Sequence, residues 1–386
     1  MTSYSVIPDV RVLDLGIITA GASTSAILAD LGAEVIKVEG PNYIDPFRVW
    51  SVPRDHGEWW NASPHFLFTN RNKKGLCIDL KTEAGREVLL RLVAQSDVVV
   101  ENFRTGVLDG LGLGFEVLSQ RKPDIILASV SSQGATGPLA DAVSFGSTLE
   151  GSSGLASLML LDDVPQISGQ ALNYPDQVAS LFAAGAILAA LVERKRTGQG
   201  AHLDISQREV ATFLIGEFLA GEGLPQTAAP GAPALLQTIV QTLDQRWLAV
   251  TVASLKDAEA IRNATGQSEL DLNNWLPKWI AETPADAAIA CLRGAGASVA
   301  IVATRGELGG ADNSSYQNGA VALDSEGNLV KGLPWIIGGQ PLRHFSRAPG
   351  LGADNEMLVR KTLGLSRQEY EALSSEGILA TSPRQV

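Results

Sequence analysis

The chain has 386 residues, enough for two domains, and its 45% hydrophobic and 19% charged content is that of a globular enzyme rather than a fibrous or disordered chain. Thirty basic against 42 acidic residues give a formal charge of −12 with no basic run of useful length, which argues against nucleic acid and anionic membrane as partners. Two isolated cysteines, Cys77 and Cys291, exclude a disulfide framework and a four-ligand zinc site; with no signal-peptide pattern and no apolar run longer than Val178 to Leu191, a cytoplasmic protein is expected.

The first elements are RVLDLG at 11–16, the small residues of ASTSAILADLG, and AEVIKVEGP at 33–41. They predict strand, helix and strand, with parallel strands buried on both faces. Glu39 ends the second strand where dinucleotide folds keep a ribose-binding acid, but Gly16 and Gly21 are five apart and the GxGxxG fingerprint is absent. Trp50, Trp59 and Trp60 follow, as core packing or as an aromatic wall for a bulky acid. NRNKKGLCIDLK, 70–81, sets Arg71, Lys73, Lys74 and Lys81 around a short strand, either as a solvated turn or as a phosphate site.

The alternation continues with GREVLLRLVAQSD as a helix, VVVEN as a strand, a helical turn at VLDGLG, and IILASVS at 125–131 as a strand. Asn102, Phe103 and Arg104 stand at the C-terminal end of a strand, where ligands of open α/β sheets bind; an ordinary loop with a packed phenylalanine is the plain alternative. SSQGATG, 131–137, is a candidate turn for backbone N–H groups that stabilise an oxyanion, or a surface loop. Asp176 lies behind Pro175 and ahead of a helix expected from Val178 to Arg196, apolar on all sides and therefore buried, and stopped by TGQG at 197–200. Such an aspartate is a good N-cap, and a desolvated carboxylate at a helix start is also a competent nucleophile.

GEGLPQTAAPGAPA, 221–234, reads as a linker and a domain boundary. Beyond it, strands at 246–253 and 297–304 with helices around 255–265 and 284–293 predict a smaller α+β unit, and the tail at 348–379 predicts two amphipathic helices. The histidines His56, His65, His202 and His344 are scattered without metal-ligand spacing, and no G-x-S-x-G elbow is present.

In their order and spacing, several of these stretches resemble the family III CoA-transferases, the CaiB/BaiF type that includes formyl-CoA transferase. The stretches are VLDLGIITAGASTSAILADLGAEVIKVEGP, NKKGLCIDLKTEAG, VVVENFRTGVLDGLGL, ILASVSSQGATGP, FAAGAILAALVERKRTGQGAHLDISQRE and APGLG with LGLSRQEYEAL. The resemblance implies an α/β fold: a Rossmann-like parallel-sheet large domain with a smaller α+β domain, in an interlocked-ring dimer. It places the large CoA-binding domain at 1–222, the small domain at 223–330, and a C-terminal segment returning to the large domain at 331–386.

It further implies Asp176 as the nucleophile, and CoA contacts at Thr19 and Ala20, at Ile78, Leu80 and Lys81, and at Asn102, Phe103 and Arg104. No metal and no tightly bound cofactor are implied; a coenzyme A thioester is the substrate. The partners are an acyl-CoA, a small carboxylic acid and a second chain, the same or related. Gly40 and Gly110 stand where formyl-CoA transferase has arginines that contact CoA, so Arg104, Arg71 or Lys74 would have to replace them. AGEGLP at 220–225 does not match that enzyme's glycine-rich shielding loop, which argues against oxalate and formyl-CoA. An acyl-CoA racemase or isomerase on the same scaffold is the alternative, but LADAVSFG follows Gly137-Pro138 where that subgroup has a histidine–aspartate pair. A partner subunit of a heteromeric transferase is the other.

Overall fold

The computed structural model describes residues 5–384 except 56, 162–163, 169–172, 222–234, 309–318 and 343–344. The linker read at 221–234 therefore lies almost wholly outside the described residues. Two compact units emerge, one of residues 1–216 with 311–386 and one of 217–310.

The first unit is built on six parallel strands: β1 (Arg11–Asp14), β2 (Glu34–Glu39), β3 (Lys73–Cys77), β4 (Val98–Glu101), β5 (Ile126–Ser131) and β6 (Ala201–Ser206). Their order in the sheet is β3-β2-β1-β4-β5-β6, all parallel. That is the doubly wound order, in which the chain reverses direction across the sheet between β1 and β4. Each strand alternates its apolar residues between two cores. Leu13, Ile36, Val99 and Leu127 face one core with α2 (Glu83–Val93) and the C-terminal Leu358 and Ile378, while Val12, Val98, Val100 and Ile126 face the other with α1 (Ala20–Asp30). Burial on both faces explains why the strands read as unbroken runs of Val, Ile and Leu.

Of the cations at 70–81, Arg71, Lys73 and Lys74 are held in ion pairs and Lys81 is exposed. Lys73 Nζ donates to Asp14 Oδ2, the Ala22 carbonyl and Asn70 Oδ1, each at 2.8 Å, with Lys73 and Asp14 both buried. Arg71 pairs with buried Asp30, and Lys74 with Glu34. Lys37 and Asp45 (3.2 Å) and Arg48 and Glu39 (2.7 Å) add two further buried pairs. The carboxylates paired with Arg71, Lys73 and Lys74 lie 40 or more residues away, which is why that cluster reads as free charge along the sequence.

Three helices complete the part that carries the site: α3 (Gly146–Ser152), α4 (Tyr174–Thr197) and α5 (Gln207–Phe213). α4 begins before Asp176, so Asp176 belongs to its first turn and Asn173 is the N-cap. The expectation of burial on all sides fails: Ala179, Ala183, Ile187 and Leu191 are buried, whereas Leu181 is 52% and Val192 71% exposed. Alanines at i, i+4 spacing suit close packing on a neighbour, here α1 and the sheet, and leave the opposite face open. By length and composition α4 could cross a membrane, but its buried stripe belongs to the core of this unit.

The second unit has an antiparallel sheet of Leu236–Gln241, Trp247–Val252 and Ser298–Ile301. Helices Leu255–Thr265, Leu272–Ala281 and Ala285–Gly294 pack on it through Ile261, Trp275, Leu276 and Leu292. The middle helix, with Pro277 inside it, was not legible as a helix. In the tail, Arg367–Ser375 is a helix and Met357–Thr362 forms a π-helical turn in place of the first expected helix.

Candidate active site

A cleft of about 530 Å³ opens at the C-terminal ends of β1 and β4, the point where the strand order reverses. Ligands of open α/β sheets bind there because the loops on either side diverge and leave a crevice.

The loop from β1 to α1 forms one wall. Gly16 and Gly21 touch back to back: a Cβ on either would lie 2.5 Å from the other's Cα, so both must be glycine. Asp14 Oδ1 accepts from the Gly16 N–H (2.9 Å). Asn102, at the end of β4, clamps the loop from across the crevice: its Oδ1 accepts from Ile17 N–H (2.7 Å) and its Nδ2 donates to the Ile17 carbonyl (3.0 Å). Ile18 has φ +57°, a left-handed conformation that is rare for a β-branched residue, and donates its N–H to Asp45 Oδ1 (3.1 Å). Ile17 and Ile18 line the cleft, while Thr19 and Ala20 are buried and do not line it.

Phe103 and Arg104 continue the wall from β4. Phe103 N–H donates to Glu101 Oε2 (2.7 Å), and burial pushes the Glu101 carboxyl up to about 6. Arg104 is exposed and, among the described residues, has no ion-pair partner; it also borders a small adjoining cavity with His202 and Asp204. Ile78, Leu80 and Lys81 do not line the cleft. They follow β3 at the edge of the sheet, where Ile78 is buried and bridges to Leu379, Leu80 packs on the core, and Lys81 is exposed. Nothing lies within 4 Å of a Cβ placed on Gly110, and on Gly40 the nearest atom would be 3.6 Å away, so packing does not require glycine at either position.

The opposite wall is the loop into α3, which the sequence did not mark. Val143 and Phe145 stand 68% and 66% exposed, and Gly146 starts the helix. A Cβ on Gly146 would meet Asn173 Oδ1 at 2.9 Å and Asp176 Oδ2 at 3.1 Å. Glycine is what lets this turn lie against the carboxylate. The SSQGATG turn is poorly suited to hold an oxyanion: Gly134 N–H is committed to Ser131 Oγ (2.9 Å) and Ala135 N–H to Asp204 (2.9 Å), and of that turn only Ser132 lines the cleft. Of the three tryptophans, Trp50 lines the cleft, against Phe47 (centroids 5.0 Å apart). Trp59 and Trp60 pair with each other elsewhere.

Asp176 projects into this space from the first turn of α4. One turn on, Ser180 Oγ donates to the Ala20 carbonyl (3.0 Å), which fixes the start of α4 beside the β1–α1 loop. Asp176 Oδ2 is buried with no hydrogen-bond partner. Burial pushes its carboxyl up to about 6, partly offset by its own backbone N–H and reinforced by the carboxylate of Glu150. Gln207 Oε1 is likewise buried and unpartnered, while its Nε2 donates to the Val130 carbonyl (3.1 Å). A carboxylate with one oxygen buried and unpartnered can act as a nucleophile or a base, and among the described residues no histidine lines this cleft to serve as a second base. Among the described residues no group of His, Cys, Asp and Glu is arranged to hold a metal.

Comparison with known proteins agrees with this architecture. The sequence model of CoA-transferase family III matches residues 7–355. The succinyl-CoA–D-citramalate CoA-transferase of Chloroflexus aurantiacus is 37% identical over 68% of this chain and 65% of its own length. A probable CoA-transferase of Mycobacterium tuberculosis, Rv1866, is 30% identical over 96% of this chain and 50% of its own. The chain thus spans between half and two thirds of the length of these curated relatives. A crystal structure of a CaiB/BaiF family protein from Brucella suis superposes with a TM-score of 0.82 at 26% identity, covering 93% of this chain and 99% of that one.

Proposed function

The chain belongs to CoA-transferase family III, and on that premise we propose that it moves CoA from an acyl-CoA to a free carboxylic acid with Asp176 as the covalent nucleophile. The observation that carries the reading is Asp176 at the strand crevice, one of its carboxylate oxygens buried without a partner. Asp176 attacks the donor thioester, forming an aspartyl–acyl anhydride and releasing CoA thiolate. The thiolate attacks the aspartyl carbonyl, giving an aspartyl–CoA thioester and the donor acid. The acceptor carboxylate displaces the thiolate to form a second anhydride, and the thiolate then takes the acceptor acyl group, which regenerates Asp176. Each bond made balances one broken, and covalent catalysis divides one difficult exchange into four easier steps.

CoA is proposed to lie along the C-terminal edge of the sheet, its thioester in the cleft beside Asn102 and Phe103 and its nucleotide toward Arg104 and the Ile78–Lys81 segment. Thr19 and Ala20, being buried, would contribute through the backbone at the start of α1. The assembly is proposed to be the interlocked dimer, with a homodimer as the first form to test. Large exposed apolar residues such as Val192 and Phe213 support burial against another chain. A relative named as the alpha subunit of a succinyl-CoA–L-malate CoA-transferase, 32% identical, keeps the heteromer as the second form. The isomerase reading finds no histidine among the described residues of the cleft lining.

The test is chemical trapping. Acyl-CoA without acceptor should leave an aspartyl thioester or anhydride that hydroxylamine converts to a hydroxamate on the peptide containing Asp176. Labelling at another carboxylate, or none with any acyl-CoA that is turned over, would overturn the assignment.

A further inference from the structure

The charges around the cleft are unevenly spread. Of the described residues that line it, only Asp176 and Arg104 are ionisable. Arg104 follows β4 and also borders the adjoining cavity, whose wall includes Glu101, Asp109 and Asp204. Asp176 also feels the like charge of Glu150, which is buried and accepts from Ser168 N–H (2.6 Å). The rest of the described lining is uncharged: Ser144, Ser147, Asn173 and Gln207 supply polar groups, and the larger part is apolar. Ile17 and Ile18 are held there by the Asn102 and Asp45 hydrogen bonds, Trp50 stands against Phe47, and Val143 and Phe145 close the opposite side.

A second carboxylate on the substrate would enter beside two acidic groups, with Arg104 the one cation among the described residues of the lining. Desolvating an anion without a partner is strongly unfavourable, and like charge adds to the cost. Apolar groups gain by leaving water at the same surface, and an indole face favours flat or branched ones. We infer that the acid activated at Asp176 carries an uncharged, bulky apolar body, aromatic or branched, and that dicarboxylates are poor substrates. The inference rests on the transferase reading and adds the substrate class to it. The neutral, unpartnered Gln207 Oε1 is compatible with a hydroxyl or amide N–H on the substrate, but not with a second carboxylate.

The purified full chain is incubated with acetyl-CoA, phenylacetyl-CoA or succinyl-CoA as donor and with phenylacetate, 3-phenylpropionate, isovalerate, succinate or glutarate as acceptor, and CoA esters are followed by mass spectrometry. The aromatic and branched monocarboxylates should exceed the dicarboxylates in kcat/KM by at least about tenfold, the scale on which a pocket discriminates by shape and polarity. Phe145→Arg, which brings a cation to the Asp176 end, should move the succinate-to-phenylacetate ratio upward by about tenfold, as a new charge-assisted contact would. A wild type that prefers succinate or glutarate overturns the inference and leaves the transferase reading standing, and so does an unmoved ratio in folded Phe145→Arg. Absence of exchange with every donor and acid overturns both.

Discussion

Two regions of the first unit bury carboxylates, and they treat them in opposite ways. Around β1, α1 and β2, the carboxylates Asp14, Asp30, Glu39 and Asp45 each have a cation at hand: Lys73, Arg71, Arg48 and Lys37. At the start of α4, Asp176 has burial, a carboxylate neighbour in Glu150 and an oxygen with no partner. The electrostatic consequence is visible in Glu39, held below the usual carboxylate range because Arg48 and Lys37 outweigh the burial that would raise it, against Asp176, which burial raises. A buried charge that is matched holds the fold together; one left unmatched is a liability that persists where chemistry needs it.

Asp176→Asn separates the two most sharply. Exchange should fall by several orders of magnitude, since an amide cannot form the anhydride. Stability should move the other way. A carboxyl whose folded value is raised to about 6 from 3.8 binds protons more tightly in the folded state, so the wild type loses stability as pH rises through that window. At pH 8 the variant should be more stable by up to about 3 kcal/mol, and the difference should vanish below pH ~4. Denaturant melts at the two pH values measure it, and a variant less stable at pH 8 would contradict the account. The same titration predicts that wild-type kcat/KM rises as pH passes about 6, where the nucleophile ionises.

Lys73→Met tests the other side. It strips three hydrogen bonds and leaves Asp14 buried without its cation, which should cost about 3–5 kcal/mol. Urea unfolding at pH 7 gives the figure, and a loss below about 1 kcal/mol would mean that the pair contributes no more than a surface salt bridge.

The smallest effect is a gain. Because neither Gly40 nor Gly110 is needed for packing, Gly110→Arg should fold normally and lower the KM for an acyl-CoA a few-fold through an added phosphate contact. An unchanged KM would place the CoA phosphates elsewhere.

The contrast also explains what could be read along the chain. Strands at 11–14, 98–101 and 126–131 were legible because runs such as VVVE bury alternate residues on two faces and leave no polar gap. The fates of Arg71 and Lys73 were not, since their partners Asp30 and Asp14 lie 41 and 59 positions away. Asp176 was singled out as the candidate nucleophile by the family resemblance; local chemistry alone suggested a cap, and the helix in fact starts two residues earlier. Phe145 and Gly146 went unmarked because nothing in LADAVSFG announces chemistry. The available signal was a glycine after an aromatic at a helix start, which becomes meaningful once Asp176 is known to lie against it.

Ile18 carries a last consequence. Its left-handed backbone, fixed by Asp45 on one side and by Asn102 through Ile17 on the other, means that this wall is already set in one shape before any ligand arrives. The strain of a β-branched residue there, of order 1–3 kcal/mol, is met during folding. A thioester docking against it therefore loses little loop freedom, and its association should show a modest entropic penalty and no slow conformational phase.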